Sequence, residues 1–339
     1  LISGADIIYN SKTGYYYLFV TYGTAATNYE IRVARSKNIE GPYTDYNGNE
    51  MQKFGKSAKN NQYTKGNQLM AGYGFIQSSE GAVSYSDIGK ASIGSPSLIY
   101  TKNGSWFLSC QAQGYFIADG SISTGYANAE AAGALVEAYP SLDMREIRFT
   151  EDGWPVAMSQ MYSGEKAVTK LKTSNLYGNW DVIIFDKNSV TDDYTAVVRN
   201  TSQTVSILKN ATVTQNDIAK KKDLNTEKLL RKSGDGFIVT IDSVEYMVYP
   251  AILWDWELGE GSLTFSGIGA DGSTIWGKKN TSGALGIYTD TFYYVLDMCD
   301  DATKETYEKK IDKISSNPSQ SQIDSMTNSI VTKLIETQK

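Results

Sequence analysis

The chain has 339 residues and a formal net charge of −6 at pH 7, from 32 Lys and Arg against 38 Asp and Glu. This acidic balance offers no surplus of positive charge for a phosphate backbone, and no apolar run approaches the roughly 20 residues that cross a bilayer, so neither a nucleic-acid partner nor a membrane span is predicted. The chain has no histidine, which excludes a Ser/His or Cys/His catalytic pair and an imidazole metal site. Carboxylates must therefore carry any acid–base chemistry at neutral pH.

Residues 1–158 predict a succession of short antiparallel strands. Leu1 to Ile8 already has a strand pattern, with no initiator Met and no signal-like stretch before it, so we expect the chain to begin inside a structure. The next strand-like segments are Tyr15–Thr21, Glu30–Ala34, Ser97–Tyr100 and Ser105–Gln111. Glycine-containing turns separate them at Ser11–Gly14, Asp45–Gly48 and Lys102–Gly104. Even spacing of this kind is typical of a sandwich, a barrel or propeller blades.

Residues 159–290 predict a separate β-domain. Its expected strands are Asp181–Phe185, Tyr194–Val198, Gly236–Tyr249 and Thr274–Trp276. The Lys-rich segment Gln215–Lys232 between them is expected to be a helix or an exposed loop. We expect the core of this domain to bury most of its large tryptophans, which are Trp180, Trp254, Trp256 and Trp276.

Residues 291–339 predict a short amphipathic helical tail. Two sets of apolar residues recur there at helical spacing: Tyr307, Ile311 and Ile314, and then Ile323, Met326, Ile330 and Leu334. The breaker S-S-N-P-S separates the two sets. We therefore expect two helices, which either pack back on the body or lead into a further part.

Five long segments resemble, in family order, the arabinanases of glycoside hydrolase family 43. They are I-S-G-A-D-I-I-Y-N-S-K-T-G-Y-Y-Y-L-F-V-T-Y-G (2–23), Y-E-I-R-V-A-R-S-K-N-I-E-G-P-Y-T-D (29–45), I-G-S-P-S-L-I-Y-T-K-N-G-S-W-F-L (93–108), R-F-T-E-D-G-W-P-V (148–156) and L-T-F-S-G-I-G-A-D-G-S-T-I-W-G-K-K (263–279). The resemblance implies an all-β fold: part of a five-bladed β-propeller, followed by a β-sandwich or barrel-like accessory domain and the helical tail. Residues 1–158 would form the last two blades, as two four-stranded sheets.

The resemblance also implies an activity, that of an inverting glycosidase on arabinan-type plant polysaccharide. In that mechanism one carboxylate activates a water and a protonated carboxyl group, roughly 6.5 to 9.5 Å away, donates to the leaving oxygen. The family places the base, and a third carboxylate that tunes the acid, on earlier blades that this sequence does not contain. Closing the propeller therefore requires the missing N-terminal blades or a partner chain.

The sequence departs from the family pattern at its functional positions. Ser3 stands in the general-acid slot, where family members carry Glu, and a serine hydroxyl cannot donate a proton as a tuned carboxylic acid does. Ser95, in G-S-P-S, stands where relatives have a histidine that faces the cleft and an axial metal, often calcium. Gln111 likewise stands where a strand often carries His. We therefore predict no metal or other cofactor, and a chain that is inactive alone.

Few carboxylates are candidates to replace the missing acid. Asp6 is three residues from Ser3, so on a regular strand it points to the opposite face and is a poor substitute. Glu30 is a weak substitute candidate, and the interpretation we favour for it is an exposed strand residue paired with Arg32 or Lys37. The remaining acidic residues of these blades are expected to serve turns or to be solvated: Asp152 in a turn, and Glu40 and Asp45 beside a Gly-Pro turn.

Substrate contacts are expected from small and aromatic residues near the same segments. The weak candidates are Gly4, Tyr22, Tyr29 and Ser95. Tyr22, Tyr29 and also Trp106 have the flat apolar faces that stack on sugar rings, and each equally suits a blade core.

Three functions remain open. The first is the C-terminal portion of an arabinanase-like hydrolase, secreted or on the cell surface by resemblance, with a polysaccharide as its partner. The second is a non-catalytic carbohydrate-binding or interaction protein derived from the same propeller. The third is an exo-acting arabinofuranosidase or xylosidase of the same family.

Overall fold

The computed structural model describes residues 2–25, 28–51, 65–79, 82–114, 116–118, 121–123, 140–164, 166–185, 200–209, 211–220, 230–256, 258–280, 285–313 and 319–337. These residues form two blade-like sheets of a β-propeller, a larger barrel-like sheet and three C-terminal helices. The predicted all-β class, with a propeller part, an accessory β-domain and a helical tail, is confirmed.

The first blade is a four-stranded antiparallel sheet in the order β1-β2-β3-β4. Its strands are β1 (Ile2–Asn10), β2 (Tyr15–Tyr22), β3 (Glu30–Ser36) and β4 (Asn67–Met70). Tyr17 and Phe19 are buried on one face of β2, in a core shared with the second blade, whereas Val20 and Tyr22 are buried in a separate cluster on the other face. Both faces of β2 are therefore covered.

The second blade has six strands rather than the expected four, in the order β11-β10-β7-β6-β5-β13. They are β5 (Tyr73–Ser79), β6 (Ala82–Tyr100), β7 (Trp106–Gly114), β10 (Pro140–Phe149), β11 (Pro155–Ala157) and β13 (Asn200–Thr201), and a small hairpin is formed by β8 (Phe116–Ala118) and β9 (Ser121–Ser123). One extra strand is β5, which pairs with the first half of the long β6. The other is β13, which comes from beyond residue 158 and runs parallel to β5.

The third sheet has eight strands in the order β15-β14-β12-β20-β19-β18-β17-β16. They are β12 (Gly178–Ile184), β14 (Gln203–Ile207), β15 (Thr212–Thr214), β16 (Leu230–Ser233), β17 (Gly236–Ile241), β18 (Val244–Asp255), β19 (Glu260–Gly269) and β20 (Thr274–Lys279). A 3-10 turn at Thr173–Leu176 precedes β12, and the short helix α1 (Gln215–Ala219) follows β15.

Two expectations for this region need correction. The expected single strand Gly236–Tyr249 is a hairpin, because Asp242 and Ser243 both adopt positive φ (47° and 68°), which is the geometry of a two-residue turn between β17 and β18. In the Gln215–Lys232 segment the described residues form the α1 helix at its start and the first residues of β16 at its end, and residues 221–229 lie outside the described residues. The expected strand Tyr194–Val198 lies outside the described residues.

The tryptophans divide between core and surface. Trp180 is buried in the core of the barrel-like sheet, but Trp276 is buried in the core that this sheet shares with the blades. There, Trp276 Nε1 donates to the Ala157 carbonyl at 3.0 Å and its ring meets Tyr73 edge-on at 5.1 Å. Trp254 is half-buried and Trp256 is 52% exposed, so two of the four tryptophans are buried where most were expected to be. The accessory sheet thus shares its packing with the blades, and the boundary at residue 159 remains a prediction.

The tail forms three helices, α2 (Leu285–Asp297), α3 (Asp301–Lys313) and α4 (Gln320–Thr337). The first of them crosses residue 290, which the sequence assigned to the β-domain. Tyr307, Ile323, Met326 and Ile330 are buried together, and the helices pack back on β14 and β15 through residues such as Val213. No helix in the described part of the chain is long and apolar enough to span a membrane.

Candidate functional site

A surface formed by two neighbouring strands, one from each blade, contains the positions singled out in the sequence. Both strands have an irregularity at this place: in β1 the pairing with β2 shifts between Ser3 and Asp6, and in β6 the pairing with β7 shifts between Gly94 and Ser97. Bulges of this kind redirect side chains and are common beside active sites. The two blades are joined at this place by the Ser95 amide of β6, which donates to Thr21 Oγ1 of β2, the strand paired with β1, at 2.8 Å.

Gly4 and Ser95 touch at the centre of this surface. Gly4 has a φ of +49°, and a Cβ there would lie 3.0 Å from the Cα of Ser95. Ser95 itself adopts a φ of +56°, which is uncommon for a residue with a side chain, and it is exposed. The close approach of the two blades therefore requires the absence of a side chain at Gly4.

Tyr29 completes the surface. Its hydroxyl accepts a long hydrogen bond, 3.4 Å, from Ser3 Oγ, and its ring lies over Gly94, where a Cβ would come within 2.5 Å of it. Its backbone is fixed to β6, because the Ile93 amide donates to the Tyr29 carbonyl at 2.9 Å. The structure thus brings Ser3, Gly4, Tyr29 and Ser95 together, and we call these residues with Thr21 the Ser3–Ser95 surface.

The other two predicted site residues, Tyr22 and Glu30, lie elsewhere. Cross-strand pairing places Ser3 opposite Thr21 but Glu30 opposite Tyr22, so both are on the opposite face of the sheet from Ser3. Burial raises the pKa of Tyr22 to about 12, against the smaller opposing effect of Arg32.

Glu30 is buried, so the favoured expectation of an exposed residue is wrong, although its expected partner is confirmed. Its carboxylate forms an ion pair with Arg32 and accepts a hydrogen bond from Gln68 Nε2. The burial has a physical reason: Gln68 belongs to β4, which pairs with β3 beside Arg32, and this fourth strand comes from a part of the sequence where none was expected.

Asp6 also departs from its expected position. The partners of Ser3 and Asp6 on β2, Thr21 and Phe19, are two positions apart and share a face, so the bulge puts Asp6 on the same face as Ser3 rather than the opposite one. Its Oδ2 accepts the Leu98 amide at 2.7 Å. This carboxylate therefore lies on the correct side of the strand but helps to join the two blades.

Three acidic residues were expected to serve turns or to be solvated: Asp152 and Glu40 are as predicted, and Asp45 is not. Asp152 lies in a turn closed by the Gly153 amide, which donates to the Thr150 carbonyl at 2.9 Å, as predicted. Asp45 is buried instead of solvated, because its carboxylate accepts the backbone amides of Asn47 and Asn49 at 3.0 and 2.9 Å. Glu40 is exposed, as expected.

Two further positions were of interest in the sequence: Gln111, which stands where a strand often carries His, and Trp106, which could stack on a sugar ring. Gln111 is paired with Gly94 and is half-buried beside the surface, whereas Trp106 is buried in the shared core and packs against Phe149. Within the described ranges, no group of three or more acidic or cysteine side chains could hold a metal ion. The residues described therefore do not fit a metal centre.

The chemistry available on the Ser3–Ser95 surface is hydrogen bonding. Hydroxyls of Ser3, Tyr29 and Ser95 can donate to and accept from sugar hydroxyls, and a tyrosine ring offers an apolar face to a sugar ring. A serine hydroxyl does not serve as a general acid at neutral pH. Thr21 and Gly94, which position the surface, carry no sequence signal of their own, because their role depends on the contact between blades.

A second polar cluster lies where the blades meet the barrel-like sheet, and it is fully buried. Arg145 forms an ion pair with Asp143 at 2.8 Å and donates to the Tyr73 hydroxyl at 2.8 Å. Lys278 forms an ion pair with Asp255. Asp181 lies beside Lys278 on the neighbouring strand, and burial raises the pKa of this carboxyl group to about 7, against the smaller opposing effect of Lys278.

Comparisons with known proteins bear on the whole chain. Residues 159–277 match the model of the C-terminal lipocalin-like domain of glycoside hydrolase family 43. The chain is 27% identical over 285 residues, 82% of its length, to the extracellular endo-α-(1→5)-L-arabinanase 2 of Bacillus subtilis strain 168. It is 31% identical over 202 residues, 58% of its length, to the extracellular endo-α-(1→5)-L-arabinanase of Thermotoga petrophila.

The chain is similar to proteins of glycoside hydrolase family 43, and residues 159–277 match the C-terminal domain of that family. The match to the Bacillus subtilis protein extends over 82% of the chain, in agreement with the resemblance seen in the sequence. The chain spans only part of these relatives, 53% and 38% of their lengths respectively.

Solved structures in this family share the fold. A family 43 YxiA protein from Bacillus licheniformis superposes with a TM-score of 0.62 at 23% identity, over 83% of this chain and 56% of its own. The endo-1,5-α-L-arabinanase of Thermotoga petrophila superposes with a TM-score of 0.61 at 21% identity, over 82% and 55%. At these identities the likeness concerns the fold alone.

Proposed function

We propose that this chain is the C-terminal part of a secreted glycoside hydrolase that acts on arabinan-type polysaccharide, and that the Ser3–Ser95 surface binds a sugar of that polysaccharide. The observation that carries the proposal is the convergence of Ser3, Tyr29 and Ser95 at paired bulges of adjoining blades. The extracellular arabinanases to which the chain is similar support the substrate and the secretion. Gly4 contributes by letting the blades approach.

The catalytic carboxylates are proposed to come from blades outside these 339 residues or from a partner chain. Three facts support this. Ser3 provides a hydroxyl where an acid is needed, Asp6 holds the Leu98 amide, and Glu30 is buried in its ion pair on the other face. Since acid–base assistance is worth roughly 10² to 10⁴ in rate, a chain without it should hydrolyse arabinan near the background rate.

A non-catalytic carbohydrate-binding protein is the second candidate. The observation that favours it is that β1 contributes Asp6 as its one carboxylate, and that this group already accepts a backbone amide. Both candidates use the same surface to bind sugar. They differ in whether a complete propeller assembled around this chain cleaves arabinan.

The test has a binding part and a turnover part. For binding, arabinohexaose is titrated into the chain and into Tyr29→Ala, whose affinity should fall because both the ring and the hydroxyl are lost. For turnover, reducing ends released from linear arabinan are measured against a complete family member, and we expect none above background. Turnover comparable to that control would mean that a carboxylate of this chain acts as the acid, and comparison of Asp6→Asn with Glu30→Gln would show which one.

A further inference from the structure

A groove outside the Ser3–Ser95 surface lies where the second blade meets the barrel-like sheet. Its lining includes Glu146, Gln160, Tyr162, Lys166, Ile252 and Trp254. Residues 158–164 and 166–168 form one wall between the two sheets: the Met158 amide donates to the Glu146 carbonyl at 3.0 Å, and the Ile252 amide donates to the Val168 carbonyl at 2.9 Å. The groove is therefore part of a backbone-bonded junction.

The barrel side of the groove presents an aromatic stripe. Ile252, Trp254 and Trp256 are alternate residues of β18 and its end, so their side chains project from one face at intervals of roughly 7 Å. Trp256 is outside the lining and adjoins it, because its exposed indole donates through Nε1 to the carbonyl of Met161, a lining residue, at 3.2 Å. That hydrogen bond holds the edge of the ring and leaves its face open. Flat apolar faces at this spacing suit the C–H faces of successive sugar rings.

The blade side of the groove contains an unpaired donor. Gln160 is only 6% exposed, lines the groove, and has no hydrogen-bond partner for its Nε2. Buried amide groups are normally paired, because an unpaired one loses its hydrogen bonds to water without replacement. A hydroxyl or ring oxygen of a ligand would supply the missing acceptor.

The charges around the groove indicate a neutral ligand. Glu146 and Lys166 provide one negative and one positive group, and Glu146 also has Arg148 nearby at 3.4 Å. Neither sign dominates, so the groove does not select an anion or a cation. Aromatic faces, a lone amide donor and balanced charge together are the chemistry that recognises sugar.

We infer that this groove is a second saccharide-binding site, which holds a neutral oligosaccharide chain without cleaving it. Strand pairing places Glu146 opposite Phe107, four residues along β7 from Gln111, so the groove lies on the order of 15 Å from the Ser3–Ser95 surface. The inference goes beyond the proposed function, since it concerns different residues. It stands whether or not the first surface binds arabinan.

Isothermal titration of the full chain tests the inference, with arabinohexaose, xylohexaose and cellohexaose as probes. The informative variants are Trp256→Ala, which removes the exposed ring, and Gln160→Leu, which removes the donor. Tyr293→Ala is the matched control, because this tail tyrosine is exposed to a similar degree outside the groove. Circular dichroism verifies that each variant is folded.

We expect at least one probe to bind, with an affinity about tenfold lower in Trp256→Ala, about fivefold lower in Gln160→Leu and unchanged in Tyr293→Ala. The inference is overturned if no probe binds, or if both groove variants bind as the original chain does. Loss of binding in Tyr29→Ala alone would also overturn it and would leave the proposed function standing. Loss of binding in Trp256→Ala and Gln160→Leu, with Tyr29→Ala unchanged, supports the second site and removes support from binding at the Ser3–Ser95 surface.

Discussion

The buried carboxyl group of Asp181 gives the chain a stability that depends on pH in a predictable direction. Asp181 is 1% exposed, and its Oδ2 accepts a long hydrogen bond, 3.4 Å, from Asn280; hydrogen bonds from Asn280 and Thr204 oppose the effect of burial on its pKa only in part. The adjacent Lys278 is already in an ion pair with Asp255. Burial therefore dominates and raises the pKa of Asp181 from 3.8 to about 7.

The direction in which the free energy of unfolding changes with pH depends on whether the folded or the unfolded chain binds the proton of Asp181. Between about pH 4 and pH 7 the folded chain keeps Asp181 protonated while the unfolded chain does not, so the free energy of unfolding falls as the pH rises through this window. Below pH 4 both states are protonated and the stabilisation is complete. A shift of about 3 units corresponds to about 4 kcal/mol at most, of which roughly 2 to 3 kcal/mol is lost between pH 5 and pH 8.

Asp181→Asn keeps the shape of the side chain and removes its titration. We expect the variant to gain stability relative to the original chain as the pH rises, by roughly 2 to 3 kcal/mol between pH 5 and pH 8. Urea unfolding followed by tryptophan fluorescence measures the difference at each pH. Asp255→Asn is the matched control and should be destabilised at neutral pH, since it leaves Lys278 buried without its ion pair. A difference between Asp181→Asn and the original chain that does not change with pH would refute the reasoning.

Three other changes have expected outcomes. Gly94→Ala should lower stability by about 1 to 3 kcal/mol in urea unfolding, because the new Cβ would collide with the Tyr29 ring; unchanged stability would contradict this contact. Arg145→Met should cost about 3 to 5 kcal/mol in the same assay, because it leaves Asp143 buried without its cation. Ser3→Glu alone should release no reducing ends from linear arabinan, and release comparable to a complete family member would contradict the need for further carboxylates.

The elements that the sequence predicted best are those with strong local patterns. Tyr15–Tyr22 is a strand because aromatic and β-branched residues dominate it, and Glu30–Ser36 is a strand because its β-branched residues Ile31 and Val33 alternate with polar ones. The helix at Gln320–Thr337 follows from apolar residues at helical spacing.

What could not be predicted depends on contacts between distant segments. The position of Asp6 depends on a bulge beside Gly4, whose left-handed backbone is set by the approach of Ser95. Asp45 is buried because its carboxylate also accepts the amide of Gly66, 21 residues later. The groove joins Gln160 to Trp254 across two sheets, and neither residue alone carries a signal for a binding site.

The short strand β13 has a consequence for how the chain is made. Asn200 and Thr201 form the outer edge of the second blade, although they follow β12 of the barrel-like sheet in the chain. During synthesis the blade therefore keeps one edge open until these two residues have left the ribosome, by which time β12 is already available. We expect the second blade and the barrel-like sheet to mature together on the ribosome, and a nascent chain stopped before Asn200 to remain sensitive to protease at β5.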